Sequence, residues 1–245
     1  MTTADATAFR PSAYSALVIR QLLRHRDRVA GARVLDLGCG GGVLLAAARD
    51  LGAAGLCGVD IEPAALAETT RLLAEAPPGG PTADIRPGSL FGPFGGERFD
   101  MVLANLPHFP MDHAAIDTRL PSWSDGGDDG RRLLDPVIAG LGDHLAPGGM
   151  ALVAHNAFVG LPATRALARD HGLEARVIDG MTVPIAREKL THMTPAVLTR
   201  EMGATLHQFG GHVFAEVLVL RIARPGDLPD PADGARARPP MDHPG

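Results

Sequence analysis

The chain has 245 residues and a net charge of −5, and 45% of its residues are hydrophobic. A length of this order fits one large domain with a complete core. The acidic balance argues against a nucleic-acid groove, which is usually basic. No signal peptide and no apolar run of transmembrane length is visible, so we expect a cytoplasmic protein. Cys39 and Cys57 lack metal-ligand spacing, which predicts reduced thiols and no metal site.

Hydrophobic patterning and turn residues divide the chain into alternating strands and helices. Pro11 and Ser12 open a first helix that runs to about His25. Strands are predicted at 33–37, 56–60, 82–86, 99–104, 149–154 and 212–223, and helices at 42–51, 63–75, 131–145, 161–171 and 194–202. Alternation of this kind predicts an α/β fold with a doubly wound, mostly parallel sheet.

A single domain is expected to occupy residues 9–223. It contains an unusual segment at about 180–211, which we interpret as an insertion. Residues 1–8 are small and polar, and the tail 224–245 is rich in proline. Both ends are therefore predicted to be disordered.

A glycine-rich turn follows the first strand, with the sequence D-L-G-C-G-G-G at residues 36–42. Glycines at a strand–helix junction let a ligand approach the backbone N–H groups at the helix N-terminus. Asp60 ends the next strand about 20 residues later, which is the usual distance for a carboxylate that binds a ribose. The two features together predict a nucleotide-like ligand.

The same turn excludes two common nucleotide motifs. The pattern G-x-G-x-x-G would need a glycine where Val43 stands, which disfavours a nicotinamide-dependent oxidoreductase, and no Gly-Lys-Ser/Thr follows for a P-loop. Asp36 precedes the turn, and its carboxylate suits an ammonium group and would repel a diphosphate. This arrangement resembles the first motif of the class I S-adenosylmethionine-dependent methyltransferases. The resemblance implies a seven-stranded Rossmann-like sheet.

The resemblance also implies S-adenosylmethionine as cofactor and S-adenosylhomocysteine as product. In that family the acid-Gly-x-Gly turn holds the methionine moiety, and the acid after the second strand holds the ribose. Ser89 stands where an acid often meets the adenine amino group, and its hydroxyl accepts that hydrogen bond more weakly. The implied cofactor-binding residues are Asp36, Gly38, Cys39, Gly40, Asp60, Ile61, Ser89, Leu90 and Asn105.

The fourth predicted strand is followed by N-L-P-H-F-P at residues 105–110. Parallel sheets bind ligands at the carboxyl ends of their strands. An acceptor N–H₂ can donate to the side-chain oxygen of Asn105 and to the carbonyl of Leu106, which aims the nitrogen lone pair at the methyl group. His108 can accept the released proton or act as a polar gate, and Phe109 or His108 can cover a planar acceptor. The predicted catalytic residues are Asn105, Leu106, Pro107, His108 and Phe109; the alternative is a simple Asn-x-Pro turn.

This segment resembles the Asn-Pro-Pro-Tyr/Phe motif of amino methyltransferases. Leu106 replaces the first proline, and His108 intervenes before the aromatic residue. Segments 9–15 and 125–130 resemble the Pro-x-x-x-(Ser/Thr) and Gly-Gly-x-Asp-Gly segments of the protein-glutamine (release-factor) methyltransferase group. The similarity covers residues 9–173, and the substrate-docking helical domain of that group has no counterpart in this sequence.

We therefore expect an enzyme that methylates a nitrogen, or less favourably an oxygen, of a small-molecule metabolite. It is expected to be a monomer or homodimer that binds neither nucleic acid nor a membrane. The alternatives are a protein glutamine N5-methyltransferase and a non-catalytic cofactor-binding or scaffold protein. Substrate contacts are predicted at Tyr14, Trp123, His155 and Asn156. Lys189 and His192 in the insertion are expected on a solvated face, with a cover over the acceptor pocket as the alternative.

Overall fold

The computed structural model describes residues 11–75, 80–112 and 125–227. The predicted disordered segment 1–8 and the tail beyond 227 lie outside the described residues. In chain order the elements are α1 (Ala13–Arg24), α2 (Arg26–Val29), β1 (Arg33–Leu37), α3 (Val43–Asp50), β2 (Gly55–Asp60), α4 (Pro63–Ala74), β3 (Ala83–Pro87), β4 (Phe99–Ala104), α5 (Leu134–His144), β5 (Leu145–Asn156), α6 (Leu161–Asp170), β6 (Glu174–Pro184), α7 (Arg187–Thr191), α8 (Pro195–Glu201), β7 (Leu206–Phe209) and β8 (His212–Ala223).

The strands form one sheet in the order β3-β2-β1-β4-β5-β8-β6, and the short β7 pairs with β8 off this path. The first five strands of that order are parallel to one another. β8 runs antiparallel to both β5 and β6. The prediction of a doubly wound, mostly parallel sheet is therefore confirmed.

Both faces of the sheet are covered by apolar side chains because successive strand residues point to opposite faces. In β1, Val34 joins a buried cluster with α1 and α3, whereas Leu35 and Leu37 join a second cluster with α5. Burial of each such leucine or valine contributes ~1.5–3 kcal/mol. The two free cysteines are also buried. Among the described residues, no helix is both long and apolar enough to cross a bilayer.

The structure differs from the sequence prediction in the segment at 180–211 and at the start of the tail. β6 continues to Pro184, into the segment interpreted as an insertion, because the first residues of β8 extend beyond β5 and pair with it. Residues 225–227, which were predicted to belong to a disordered tail, form a 3-10 turn. Arg224 holds this turn, since its guanidinium donates to the carbonyl oxygens of Ala146 at 3.1 Å and Gly142 at 2.9 Å.

Helix α1 is fixed to the sheet at both of its ends. Its first turn has a capping box between Ser12 and Ser15. Further along, Arg20 donates to both carboxylate oxygens of Asp179 on β6, at 2.7 and 2.5 Å, and Gln21 donates to the same carboxylate. The helix therefore has a defined position relative to the carboxyl ends of the strands, where its first turn lies.

Candidate active site

The carboxyl ends of β1 and β4 lie side by side, and the strand order reverses between them. In doubly wound sheets this switch point is where ligands bind. The glycine turn after β1 and the segment after β4 are in direct contact. A Cβ added to Gly38, which has a φ of 70°, would lie 2.6 Å from Cδ2 of Leu106. The fold thus brings together the two motifs that the sequence predicts to bind cofactor and acceptor.

The glycine turn is held rigidly by backbone and side-chain hydrogen bonds. The N–H groups of Gly38 and Cys39 donate to the carbonyl of Val59 at 2.8 and 3.0 Å. Thr69 on α4 donates its hydroxyl to the carbonyl of Gly40 at 2.7 Å. Burial raises the pKa of the Cys39 thiol to about 12, so this side chain stays neutral. Only the backbone of Cys39 is therefore suited to ligand binding.

Asp36 is a buried acid with unused hydrogen-bonding capacity. Its side chain lies at the end of β1 and is 1% exposed, and Oδ1 has no hydrogen-bond partner among the described residues. Burial, with a smaller contribution from the charge of Asp60, raises the pKa of Asp36 well above its usual range. A buried carboxyl without a donor is costly. The ammonium group of a methionine moiety would supply the missing donor.

Asp60 closes the glycine turn with its carboxylate. Oδ2 accepts the N–H of Gly40 and Oδ1 accepts the N–H of Glu62, both at 2.9 Å. Each oxygen keeps a second lone pair, which a ribose hydroxyl can use. The neighbouring Ile61 is 64% exposed, so an apolar side chain lies open beside this carboxylate.

A strained residue follows β3 at the same edge of the sheet. Leu90 has a φ of 50°, and within the described part of the chain it is the only non-glycine residue with a positive φ. Such strain persists where the surrounding structure imposes it, and it is concentrated at binding sites. Ser89 beside it is exposed. Both residues lie where the sequence predicts the adenine contact, which stays a prediction.

Asn105 is oriented by helix α1. Its Nδ2 donates to Oγ of Ser15 at 3.2 Å, and the same Oγ accepts the N–H of Ser12 at 3.4 Å. Ser15 is fully buried. Because the carboxamide is planar, this bond directs Oδ1 of Asn105 away from the helix and leaves it available to an acceptor. Sequence reasoning missed the role of Ser15, although the resemblance to the Pro-x-x-x-(Ser/Thr) segment includes this residue.

His108 forms a hydrogen bond with the carbonyl of Leu106, the group that was predicted to hold the acceptor. Its Nδ1 donates to the carbonyl of Leu106 at 2.5 Å, which leaves Nε2 with a lone pair. Nε2 is buried and has no partner among the described residues. Burial, helped by the nearby Lys189 charge, lowers the pKa of His108 to about 4, so the ring is neutral at pH 7. The Leu106 carbonyl retains one lone pair for a second donor.

Tyr14 lies against His108 and is hydrogen-bonded to Asn156. The rings of Tyr14 and His108 meet edge to face with their centroids 5.7 Å apart. The hydroxyl of Tyr14 donates to Oδ1 of Asn156 at 2.7 Å, and burial raises the pKa of this tyrosine to about 12. Two of the predicted substrate-contacting residues are thus adjacent to the acceptor motif. Trp123, a third one, lies outside the described residues.

Two predicted site residues are buried beside the acceptor motif. The Phe109 ring is 5% exposed and packs edge to face on Phe158 with the ring centroids 5.3 Å apart, so its cover of the acceptor stays a prediction. His155 has no exposed surface, and its Nε2 is hydrogen-bonded to Oγ1 of Thr164 at 2.9 Å. The substrate contact at His155 likewise stays a prediction. Pro107 is half-buried between Leu106 and His108.

The loop at 125–130 packs directly on the acceptor motif, which predicts a large effect for a small substitution. The N–H of Gly126 donates to the carbonyl of Phe109 at 2.8 Å, and a Cβ at Gly126 would lie 2.6 Å from Cα of His108. Since backbone cannot yield as a side chain does, Gly126→Ala is expected to lower the free energy of unfolding by ~1–3 kcal/mol in chemical denaturation. Gly92→Ala is the control, because a Cβ there meets nothing within 4 Å. Equal stability of the two variants would contradict this packing.

Comparison with known proteins gives this site a family context. Residues 34–120 match the model of a methyltransferase domain. This part of the chain therefore carries a methyltransferase domain. The methyltransferase domain has the same fold as a chain of the E. cuniculi Mtq2–Trm112 complex, with a TM-score of 0.57 at 16% identity over 89% of this chain and 99% of that one. The resemblance to the protein-glutamine methyltransferase group is confirmed by curated relatives.

Two relatives illustrate the resemblance. The release factor glutamine methyltransferase of Geobacter sulfurreducens is 31% identical over 144 residues, which are 56% of this chain and 49% of that protein. A putative protein N5-glutamine methyltransferase of Methanocaldococcus jannaschii is 29% identical over 179 residues, 72% of this chain and 86% of that protein. This chain thus spans about half the length of the bacterial relative.

These relatives overturn one prediction made from the sequence. Their names describe glutamine methylation of proteins, and the Mtq2–Trm112 complex is described as responsible for the methylation of a translation termination factor. The prediction of a small-molecule metabolite as the partner of the methyltransferase domain is therefore wrong. The acidic net charge and the short N-terminal region, on which that prediction rested, do not discriminate between a metabolite and a protein.

Proposed function

We propose that this protein is an S-adenosylmethionine-dependent protein glutamine N5-methyltransferase. The observation that carries the proposal is the position of Asn105: its carboxamide is held by Ser15, and the residue that follows it, Leu106, contacts Gly38 of the glycine turn. The names of the curated relatives support a glutamine in a protein as the acceptor. The domain limits predicted from the sequence, residues 9–223 with an insertion at about 180–211, form part of the proposal.

The cofactor side of the site fits a sulfonium nucleoside. When bound, S-adenosylmethionine supplies an electrophilic methyl group. The Asp36 carboxylate would hold the ammonium group of the methionine moiety, since its Oδ1 is buried and has no partner among the described residues. Asp60 would accept hydrogen bonds from the ribose through its remaining lone pairs. The other residues proposed to line the cofactor are Gly38, Cys39, Gly40, Ile61, Ser89 and Leu90.

On the acceptor side, the residues position an amide nitrogen that is a weak nucleophile. The glutamine N–H₂ donates one hydrogen to Oδ1 of Asn105 and the other to the carbonyl of Leu106. This geometry would turn the nitrogen lone pair toward the methyl carbon of a bound S-adenosylmethionine, where the new N–C bond would replace the C–S bond. The methylated nitrogen then releases one proton. His108 Nε2 is a neutral base in this motif, and even a base with a low pKa accepts a proton from an N-protonated amide.

The bond between Ser15 and Asn105 leads to a specific prediction. Ser15→Ala removes the group that orients the carboxamide, and it is expected to lower the turnover number about 3- to 10-fold, as loss of one hydrogen bond would. Affinity for S-adenosylhomocysteine should not change. Ser12→Ala is the matched control, since it removes the same helix cap and leaves Oγ of Ser15 in place. Steady-state kinetics and calorimetric titration check both variants; an equal loss of turnover in both would contradict the orienting role.

The proposed function is tested by methylation of a defined acceptor. The purified chain is incubated with S-adenosylmethionine and the peptide-chain release factor of the same organism, and tryptic peptides are analysed by mass spectrometry. We expect the mass of one methyl group on a glutamine side chain, with production of S-adenosylhomocysteine. Methylation of a different residue type would overturn the assignment of glutamine. Cofactor binding without methylation of any protein in a cell extract would favour the non-catalytic alternative.

A further inference from the structure

Residues 185–211, which contain α7, α8 and β7, form what we call the acceptor-side segment. It connects β6 to β8. Since β5 and β6 both run antiparallel to β8, β6 is parallel to β5 and ends at the edge of the sheet where Asn105 lies. The segment therefore starts at the carboxyl ends of the strands, on the side of the proposed acceptor.

Hydrogen bonds attach the acceptor-side segment to the chain that follows the acceptor motif. The N–H of Thr194 donates to the carbonyl of Pro110 at 3.2 Å, and its hydroxyl donates to the carbonyl of Asp128 at 2.6 Å. The N–H of Asp112 donates to the carbonyl of His192 at 3.0 Å. These hydrogen bonds hold the acceptor-side segment in a defined position next to the acceptor motif.

Lys189 on α7 lies on the side of this segment that contacts the acceptor motif. Its ammonium group is 5.5 Å from the centroid of the Phe109 ring, and its charge contributes to the lowered pKa of His108. The side chain is half-buried, and burial lowers its own pKa. The expectation that Lys189 belongs to a solvated face is therefore wrong.

The ammonium group of Lys189 has no ion-pair partner among the residues that the structure describes. No carboxylate of the described residues lies within 4 Å of it, and the adjacent Glu188 acts only through its more distant charge. Burying a charge without a partner is unfavourable, and contact with one aromatic face offsets only part of that cost. An ammonium in this position has three donors for oxygen atoms that arrive from outside the described chain.

The identity of the residue points the same way. Lys189 is the only lysine in the sequence, and every other Lys/Arg position is an arginine. At an exposed surface the two residue types serve equally well. At this half-buried position on an aromatic ring beside His108, the lysine presents a compact ammonium group with three rotatable donors.

We propose that Lys189 is a specificity-determining residue that donates hydrogen bonds to an oxygen atom of the acceptor polypeptide, a main-chain carbonyl or a carboxylate next to the methylated glutamine. The inference rests on the proposed function, because it takes a polypeptide as the acceptor. It adds a recognition contact outside the motif at residues 105–109, contributed by a segment inserted between β6 and β8.

Amine acetylation tests this contact in the unmodified protein, because Lys189 is the only lysine. The chain is treated with N-acetoxysuccinimide, and acetylation of the peptide that contains Lys189 is followed by mass spectrometry. Saturating release factor together with S-adenosylhomocysteine is expected to slow acetylation at least fivefold, whereas S-adenosylhomocysteine alone should change it less than twofold. If the release factor is methylated by this protein but leaves the acetylation rate unchanged, the inference is wrong while the proposed function stands.

Substitutions at the same helix provide a second test. Lys189→Met is expected to raise KM for the release factor about tenfold, the effect of losing one charged hydrogen bond, without changing KM for S-adenosylmethionine. Lys189→Arg should retain most of the affinity. Arg187→Met removes a positive charge from the exposed side of α7 and should change neither constant. An unchanged KM for the release factor in Lys189→Met, or an equal rise in Arg187→Met, would overturn the proposal.

The two possible oxygen donors are separated with variants of the release factor. Acidic residues next to the methylated glutamine are replaced by their amides, and KM is measured with wild-type enzyme and with Lys189→Met. If a carboxylate binds Lys189, the amide variants raise KM for the wild type and have no further effect on Lys189→Met. If a main-chain carbonyl binds it, the amide variants leave KM unchanged and Lys189→Met alone raises it.

Discussion

Asn105→Ala is expected to lower the turnover number by a factor of about 100 or more, because it removes the oxygen that aims the acceptor nitrogen at the methyl group. Affinity for S-adenosylhomocysteine should stay within about twofold, since the main cofactor contacts are proposed to come from the turn after β1 and from Asp60. Single-turnover methylation of the release factor and calorimetric titration with S-adenosylhomocysteine measure the two quantities independently.

Asn105→Asp is the matched control for this substitution. It keeps an acceptor oxygen of the same shape but loses the Nδ2 donor to Ser15. We expect turnover between that of the wild type and that of Asn105→Ala. Full turnover in Asn105→Ala would show that the acceptor nitrogen is held by other groups, and a parallel loss of cofactor affinity would assign Asn105 chiefly to the cofactor.

Asp36→Asn is expected to stabilise the fold and to weaken cofactor binding. Because burial raises the pKa of Asp36 in the folded state, ionisation of this carboxyl opposes folding. At pH values below the pKa of Asp36 in the unfolded chain, the carboxyl is protonated in both states and causes no loss of stability. Stability is lost as the pH rises from there through the raised pKa of the folded state. The amide removes this loss, so the cofactor-free variant should gain ~1–3 kcal/mol in free energy of unfolding at neutral pH. Its affinity for S-adenosylhomocysteine should fall at least about tenfold.

The same acid gives cofactor binding a defined pH dependence. The ammonium group of the methionine moiety pairs with the ionised form of Asp36, so binding below the raised pKa must release its proton. Wild-type affinity is therefore expected to increase with pH and to level off above that pKa. Calorimetry in buffers of different ionisation enthalpy detects the released proton, and Asp36→Asn should release none at this site. A wild-type protein with pH-independent affinity and no proton release would argue against the pairing.

Much of the fold follows from patterns that are local in the sequence. The limits of β1 and β4 agree with the prediction, as do the start of α4 at Pro63 and that of α8 at Pro195. Buried parallel strands are continuous apolar runs, and proline at a first helical position marks a helix start, so neighbouring residues suffice to recognise them. By contrast, β6 was not among the predicted strands, and its last residues pair with a part of β8 far along the chain.

In the candidate site, too, some features are local in the sequence and others depend on contacts between distant residues. The turn at 36–42 and the distal acid Asp60 are recognisable in sequence because the spacing itself is the signal. By contrast, residues 90 positions apart make the Ser15–Asn105 bond. The inward position of Phe109 likewise depends on Phe158, and the position of Lys189 depends on the attachment of α7 to the acceptor side.

Most of the strands and helices in chain order, the methyltransferase character of the domain and the two turns proposed to carry the chemistry could be read from the amino-acid sequence. Which side chains face those turns followed only from the folded structure: Ser15 and His108 lie beside the acceptor motif, Phe109 and His155 are buried, and Lys189 lies on the acceptor-side segment. The physical reason is that backbone conformation follows from short-range sterics and hydrophobic periodicity, whereas the partners of a side chain are set by packing between distant segments.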